Sequence, residues 1–363
     1  MTSDINTDMD LCPSKYRLFD ILENFWDYTI TKPSKKIDGV EYTTINLIEH
    51  EMSDKEIQNV IVPNDSVNVF HHTEGQSKHI RNIEQLCELG YVLHNNISDL
   101  WQGKFFPYWL YDYKMALRYR DTHLNHQINF VPKLLCLNAR PMWHRFFVVE
   151  WLYKKKWIDN KVALVSMLDR YNCRKQEIPE VRNGVTLTHA QFQLGIFKQK
   201  WKECKLPKDT FVEDLILNDK YLILDKGVDE LHKNDRNHDG RLYSETSVSI
   251  VTETIADGMD GCFITEKTWK PFFNLHFPIF ISQPGVVKFL KNFGLDLFDD
   301  LIDNSYDDYL DSGIRFVKAL NASQELLKKI SNFDKKQKIE YSDRLLKNQQ
   351  MLLYKKIEGE FWV

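Results

Sequence analysis

The sequence predicts an α/β protein made of two Rossmann-like domains with a cleft between them and a helical C-terminal segment. A chain of 363 residues is too long for one ordinary hydrophobic core, so two domains are expected. Short apolar runs alternate with amphipathic segments in both halves, and a clear α/β pattern restarts at Pro132. We therefore expect domains at 1–130 and 131–330, followed by a helical tail at 331–363.

The N-terminal third alternates between strand-like and helical patterns. Short apolar runs at 59–63, 67–70 and 91–94 predict strands, and an amphipathic helix is expected between residues 70 and 90. This alternation indicates a second sheet rather than a helical cap. The following segment, 101–130, is unusually aromatic. Such a stripe is typical of core or interdomain packing, with stacking on an acceptor ring as the alternative.

The C-terminal half carries stronger signals for strands and helices. Thr265 is a plausible helix N-cap, and Glu266 suits the positive end of that helix. Helical spacing returns after Asp307 and runs to Lys356. The predicted strands are 133–137, 162–166, 248–251 and 277–281, with a helix at 143–155 after the first of them.

These β-α units predict a parallel sheet with ligand-binding loops at its carboxyl edge. Open α/β sheets bind ligands at that edge, where the chain leaves each strand. The loop after the strand 248–251 carries Glu253, and the helix start carries Glu266 and Lys267. The sequence therefore places two carboxylates and one cation at this edge.

The same residues carry a resemblance to a known family. Val251-Thr252-Glu253-Thr254, a spacer, Phe263-Ile264-Thr265-Glu266-Lys267 and then Phe277-Pro278-Ile279 resemble the donor-binding motif of family-10 glycosyltransferases, the α1,3-fucosyltransferases. Thr254 stands where the family pattern has Asn, and the spacer is longer. Similar segments occur in viral and phage proteins. The resemblance implies a GT-B-like fold and a glycosyltransferase, more strongly than a fucosyltransferase in particular.

The resemblance also implies a binding site for a nucleotide-sugar donor. Arg145 follows the turn Asn138-Ala139-Arg140-Pro141, where the family pattern has its diphosphate-binding arginine. A diphosphate requires cations and helix-start N–H groups, and ribose hydroxyls require a carboxylate acceptor. The candidate donor-binding residues are Arg145, Glu253, Thr254, Thr265, Glu266 and Lys267. Each of the four charged residues alone is more often a solvated helix charge.

We expect no metal and no cofactor besides the donor, which is a substrate. Asp235 to Gly240 match the start of an EF-hand calcium loop, but position 12 of that loop is Thr246 instead of a carboxylate. A polar turn is the better interpretation. Arg145 and Lys267 neutralising the leaving diphosphate make a metal-independent enzyme the more economical reading.

A general base is harder to place from the sequence. Inversion by direct displacement requires a carboxylate or His near the acceptor hydroxyl, supplied by the N-terminal domain. The family's Glu is missing at the matching place, after the strand that ends at His94. Asp99 is the first candidate, Glu74 the second and His94 the third. Each is individually more typical of a structural role.

Composition and charge exclude some classes of protein. The net charge of −4 argues against affinity based on a broad basic surface. The six cysteines are scattered without zinc spacing and predict reduced thiols. The N-terminus lacks an apolar signal region, and no 18-residue apolar run occurs. We therefore expect a soluble, cytoplasmic protein without a membrane partner.

Three functions remain open at this point. The first is transfer of a sugar from a nucleotide sugar to a carbohydrate acceptor. The second is transfer to a hydroxymethylated pyrimidine in DNA, as in phage enzymes, for which lysines at 154–156 and 198–205 are available. The third is a non-catalytic binding protein that retains the fold, which the missing family base favours.

Overall fold

A computed structural model describes the chain in several stretches. In the N-terminal third it describes the backbone of four strands. Further along it describes residues 128–168, 177–182, 185–208, 210–218, 220, 222, 224, 240–257 and 264–354. The chain divides into two compact units, one of Met1–Asp112 with Asp260–Phe263 and Tyr354–Val363, the other of Tyr113–Met259 with Ile264–Leu353.

The first unit contains a mixed four-stranded sheet. Its strands are β1 (Ser34–Ile37), β2 (Val40–Asn46), β3 (Ser66–His72) and β4 (Val92–Asn95), in the order β1-β2-β3-β4. β1 and β2 are antiparallel, whereas β2, β3 and β4 are parallel. The predicted strands at 67–70 and 91–94 correspond to β3 and β4. The predicted strand at 59–63 lies outside the described residues.

The second unit contains a parallel sheet and most of the described helices. Its sheet has the order β10-β9-β5-β6, and β7 and β8 form a separate antiparallel pair. The elements are β5 (Leu134–Cys136), α1 (Trp143–Lys154), β6 (Ala163–Val165), β7 (Glu177–Arg182), β8 (Val185–Thr188), α2 (His189–Glu203), α3 (Phe211–Leu217), α4 (Gly240–Ser244), β9 (Val248–Thr252), α5 (Glu266–Phe273), β10 (Phe277–Ile281), α6 (Val286–Phe293), a 3-10 helix (Asn304–Asp308), α7 (Ser312–Ser331) and α8 (Lys335–Tyr354).

The parallel strands form because their sequences are apolar on both faces. Every residue of β9 (VSIVT) and β10 (FPIFI) is buried, as expected for strands covered on two sides. Pro278 has no N–H to donate, but β10 lies at the edge of the sheet, where a strand tolerates proline. The core continues into α1, where Phe147 packs edge-on against Trp201 of α2 and Phe316 of α7.

The helical pattern after Asp307 forms two long helices, α7 and α8. α7 ends at Ser331, and Asp334 caps the start of α8 by accepting from the Gln337 backbone N–H at 2.8 Å. α8 packs on the second unit through Arg344, which forms ion pairs with Asp296 at 2.6 Å and Asp300 at 2.8 Å. Residues up to Leu353 are assigned to the second unit.

Candidate functional site

The parallel sheet has a topological switch point between β5 and β9. The unit β5-α1-β6 extends the sheet to one side, and β9-α5-β10 extends it to the other. Because parallel crossovers are right-handed, α1 and α5 lie on opposite faces of the sheet. Such a switch point opens a crevice at the carboxyl ends of the two central strands, which is where α/β folds bind ligands.

Asn138 joins the carboxyl ends of three strands at this point. Its Nδ2 donates to the Ser166 carbonyl after β6 at 3.0 Å, and its backbone N–H donates to Ser166 Oγ at 3.0 Å. Its Oδ1 accepts from Thr252 Oγ1 of β9 at 2.7 Å. These bonds hold the floor of the crevice rigid.

Arg145 is buried in the first turn of α1, beside this floor. Only 2% of the residue is exposed. Its Nη1 donates to the Arg140 carbonyl at 3.3 Å, and its Nε has no hydrogen-bond partner among the described residues. Burial, and then the charge of Arg140, lower the pKa of Arg145 to about 10, while Glu253 and Glu266 act in the opposite direction. The guanidinium therefore stays charged at neutral pH.

His144 connects α1 to the end of β9. Its Nε2 lies 2.8 Å from the Glu253 carbonyl oxygen. Since a carbonyl oxygen only accepts, Nε2 carries the proton and donates it. Burial and the neighbouring charge of Arg145 lower the pKa of His144 well below its ordinary value, so the ring is neutral.

The Glu253 carboxylate is fully buried and is surrounded by donors from its own chain. Oε1 accepts from the Thr265 backbone N–H at 3.2 Å and from Thr268 Oγ1 at 2.5 Å. Oε2 accepts from the Thr254 backbone N–H at 3.2 Å and from Thr265 Oγ1 at 2.7 Å. Glu253 thus stabilises the start of α5, a role that its position in the sequence did not reveal.

Lys267 lies at the start of α5 with its ammonium among three oxygen atoms. Nζ is 3.0 Å from Glu266 Oε1, 3.1 Å from Thr265 Oγ1 and 3.3 Å from Thr254 Oγ1. Thr265 is the N-cap of α5, as predicted, and accepts from the Lys267 backbone N–H. Burial alone would raise the pKa of Glu266, but the charges of Lys267 and Lys270 outweigh it and lower that pKa. A quarter of the Lys267 side chain remains exposed.

The structure therefore brings the six predicted donor-binding residues to one edge of one sheet. Their binding role stays a prediction, but the arrangement has a clear electrostatic character. Two cations and the start of α5 lie beside the switch point, and Thr254 and Thr265 present hydroxyls next to one of those cations. Such a combination suits an anionic ligand with several oxygen atoms.

The candidate general bases do not lie in this unit. Asp99 and Glu74 are outside the described residues. His94 belongs to β4 of the first unit, where its backbone pairs with that of His71. Their assignment as bases stays a prediction.

The segment that resembles an EF-hand loop is described only at its C-terminal end. Residues 235–239 lie outside the described residues, and 240–244 form α4. Thr246, at position 12 of the pattern, is buried and donates from Oγ1 to the Leu242 carbonyl at 2.8 Å. In the parts of the chain that the structure describes, no three His, Cys, Asp or Glu side chains converge as metal ligands.

Two residues at this edge were missed from the sequence. Thr268 follows the N-cap by three positions, a helical spacing that places both hydroxyls on one side of α5. Arg315 lies 62 residues beyond Glu253 in α7, and its side chain donates to the carbonyls of Ser282 and Ala256 at 3.0 and 2.9 Å. The Thr265/Thr268 spacing was readable, whereas nothing in the sequence near Arg315 points to this edge.

Comparisons with known proteins add no relative. No family model, curated protein or solved structure matches the chain. Within the described stretches, none of the helices has the length and apolar character needed to cross a membrane.

Proposed function

We propose that this chain is a metal-independent glycosyltransferase of the two-domain GT-B-like type that binds the diphosphate of a nucleotide sugar at the β5/β9 switch point. Arg145 and Lys267 neutralise the phosphates, and the first unit supplies the acceptor side, with Asp99, Glu74 and His94 as candidate bases. In the reaction, the acceptor oxygen bonds to the anomeric carbon while the bond from that carbon to the diphosphate breaks. The base takes the acceptor proton.

The observation that carries this proposal is the buried guanidinium of Arg145. A buried cation is costly unless hydrogen bonds and opposite charge compensate for its lost hydration. Arg145 has one carbonyl contact and an Nε without a partner among the described residues. The carboxylates of Glu253 and Glu266 act on it only from a distance. A bound phosphate would supply both the charge and the acceptor oxygens that are missing.

The surrounding groups favour a diphosphate over a single phosphate. Arg145 and Lys267 start helices that follow the two central strands, so the two cations flank the switch point from different elements. Two linked phosphates match two separated cations. The resemblance of the 251–279 segment to the donor motif of family-10 glycosyltransferases supports a sugar nucleotide as the carrier of that diphosphate.

Transfer to DNA has less support from the described residues. Lys154, at the end of α1, is nine residues from Arg145, which corresponds to about 14 Å along a helix. It pairs with Glu150 at 3.4 Å, and Lys198 pairs with Glu213 at 2.6 Å. Since Lys154 lies away from Arg145 and both lysines are already paired with carboxylates, the glycan or small-molecule acceptor is the better proposal.

Titration calorimetry with a panel of nucleoside diphosphates tests the donor site, followed by transfer assays with the matching nucleotide sugars. We expect one nucleoside diphosphate to bind and its sugar conjugate to be turned over equally well with excess chelator. Binding without turnover of any donor would favour the non-catalytic binding protein. Absence of binding across the panel would refute the donor site, and activity restored only by a divalent cation would refute metal independence.

A further inference from the structure

Glu253 forms hydrogen bonds with residues that neighbour both cations at the switch point, Arg145 and Lys267. Its carboxylate binds the two threonines whose hydroxyls contact Lys267 Nζ, namely Thr254 through its backbone and Thr265 through its hydroxyl. Its carbonyl accepts from His144, the residue before Arg145. Its own N–H donates to the Ile281 carbonyl at 3.0 Å, which fixes it against β10.

We propose that Glu253 is a positioning residue of the donor site, which orients Lys267 through the Thr265 hydroxyl without touching the ligand. This inference rests on the proposed function, since it concerns how the same site holds a diphosphate. It differs from the expectation that Glu253 itself binds the donor. Each of its oxygens already accepts two hydrogen bonds from groups of the chain.

The position of the Lys267 ammonium depends on the single proton of the Thr265 hydroxyl. A hydroxyl has one O–H donor and two acceptor lone pairs. Because Thr265 donates its proton to Glu253 Oε2 at 2.7 Å, only lone pairs remain to face Lys267. The Lys267 ammonium lies 3.1 Å from that oxygen. The charge of Glu253 thus sets the direction of the hydroxyl, and the hydroxyl sets the place of the ammonium.

Replacing the carboxylate by an amide should reverse this orientation. In Glu253→Gln, an NH₂ group facing Thr265 would donate to its oxygen, and the hydroxyl proton would turn towards Lys267. Two donors would then face each other, and the ammonium would leave its position. Thr268 provides a matched control, because its hydroxyl also donates to this carboxylate, at Glu253 Oε1, whereas the hydroxyls that contact Lys267 Nζ are those of Thr254 and Thr265.

The test is a double-mutant cycle on nucleoside diphosphate affinity, measured by calorimetry together with denaturant unfolding. We expect Glu253→Gln to weaken binding by about threefold when Lys267 is present, and by less than about 1.5-fold in the Lys267→Ala background, because a positioning residue acts only through its partner and cannot cost more than the loss of that partner. Equal losses in both backgrounds, or no loss in either, would overturn the inference. If the wild-type chain binds no nucleoside diphosphate, the donor site is refuted and this inference with it.

Three further variants keep the test decisive if Glu253→Gln fails to fold. Thr265→Val removes the oriented hydroxyl, Thr265→Ser restores it, and Thr268→Val removes the other hydroxyl on the same carboxylate. We expect both valine variants to lose stability, but only Thr265→Val to lose about threefold in affinity, with Ser rescuing it. An equal affinity loss in Thr268→Val would show a purely structural role and would overturn the inference.

Discussion

Two arginines are buried at the carboxyl edge of the same sheet, and their surroundings differ sharply. Arg315 is 1% exposed, and its guanidinium donates to four carbonyl oxygens, those of Ser282, Tyr309, Leu310 and Ala256. Arg145 is 2% exposed, but donates to one carbonyl oxygen and has an Nε without a partner among the described residues.

This difference separates a structural cation from a cation suited to a ligand. Carbonyl dipoles compensate for the lost hydration of Arg315 and tie α7 to the loops after β9 and β10. Burial lowers the pKa of both arginines, so charge alone does not distinguish them. The number of satisfied donors does, since an unsatisfied buried donor costs free energy that a bound anion would recover.

The largest effect is expected when the satisfied arginine is removed. Arg315→Met should lower the free energy of unfolding by about 3–5 kcal/mol, because it leaves several buried carbonyl oxygens without a donor. Denaturant unfolding of the nucleotide-free protein measures this loss. A decrease below about 1 kcal/mol would show that water replaces the guanidinium, and the contrast with Arg145 would then disappear.

His276 is a buried histidine with two hydrogen-bond partners, and it should make the free energy of unfolding depend on pH. His276 Nδ1 lies 2.9 Å from Ser249 Oγ and its Nε2 2.7 Å from the Tyr243 carbonyl oxygen, and burial lowers the pKa of His276 to about 4. The unfolded chain takes up this proton near pH 6.5 and the folded chain only near pH 4. Stability therefore falls as the pH decreases through this window, by about 3 kcal/mol in total.

The histidine contribution is isolated by comparing two pH profiles of unfolding. In His276→Gln, the amide retains one acceptor and one donor but does not titrate, so the slope between pH 6.5 and 4 should decrease. Parallel slopes in the two proteins would assign the acid sensitivity to other groups. Among the described residues, His144 is the other buried histidine to examine, because its pKa is also lowered.

Removing Arg145 should have the opposite effect to Arg315→Met: ligand affinity should fall while the free energy of unfolding changes little. Arg145→Met should weaken nucleoside diphosphate binding by about 1.5–3 kcal/mol, the range for a charge-assisted contact. The free energy of unfolding should change by less than about 1 kcal/mol, because a buried, poorly paired charge is replaced by an apolar side chain of similar length. Calorimetry and denaturant unfolding of one preparation measure both. A strongly destabilised variant with intact binding would reverse the assignment.

The sequence predicted the elements of this edge better than their hydrogen bonds. β10 was expected at 277–281 and observed at Phe277–Ile281, and α1 was expected at 143–155 and observed at Trp143–Lys154. Continuous apolar runs and the Asn-Pro turn explain this success, since they act over a few neighbouring residues. The structural roles of Glu253 and Arg315 could not be predicted, because the partners that tie them to other elements lie 12 to 59 residues away.

The β7/β8 hairpin and its junction with α2 carried local signals that were not used. Pro179 and three charged residues obscure β7, but Val185-Thr186-Leu187-Thr188 alternates apolar and polar residues directly after Asn183-Gly184, a hairpin turn signal. Thr188 and Gln191 form a capping box at the start of α2, with hydrogen bonds of 2.9 and 3.3 Å. This local signal was present in the sequence as Thr followed three residues later by Gln.

The smallest effect on affinity is expected at the second cation of the site. Lys267 is a quarter exposed, so water already solvates part of its charge, and its contact with a phosphate is worth less than that of Arg145. Lys267→Ala should therefore weaken nucleoside diphosphate binding by about 1 kcal/mol, roughly fivefold, at low ionic strength.

Lys270→Ala is the control, because it removes the same charge from the same helix. It should leave the affinity within about twofold, because Lys270 is one helical turn further from the start of α5. Calorimetry at two salt concentrations measures both variants. Equal losses in the two variants, both abolished by added salt, would mean that α5 contributes only a diffuse positive potential, and Arg145 alone would remain as the direct phosphate ligand.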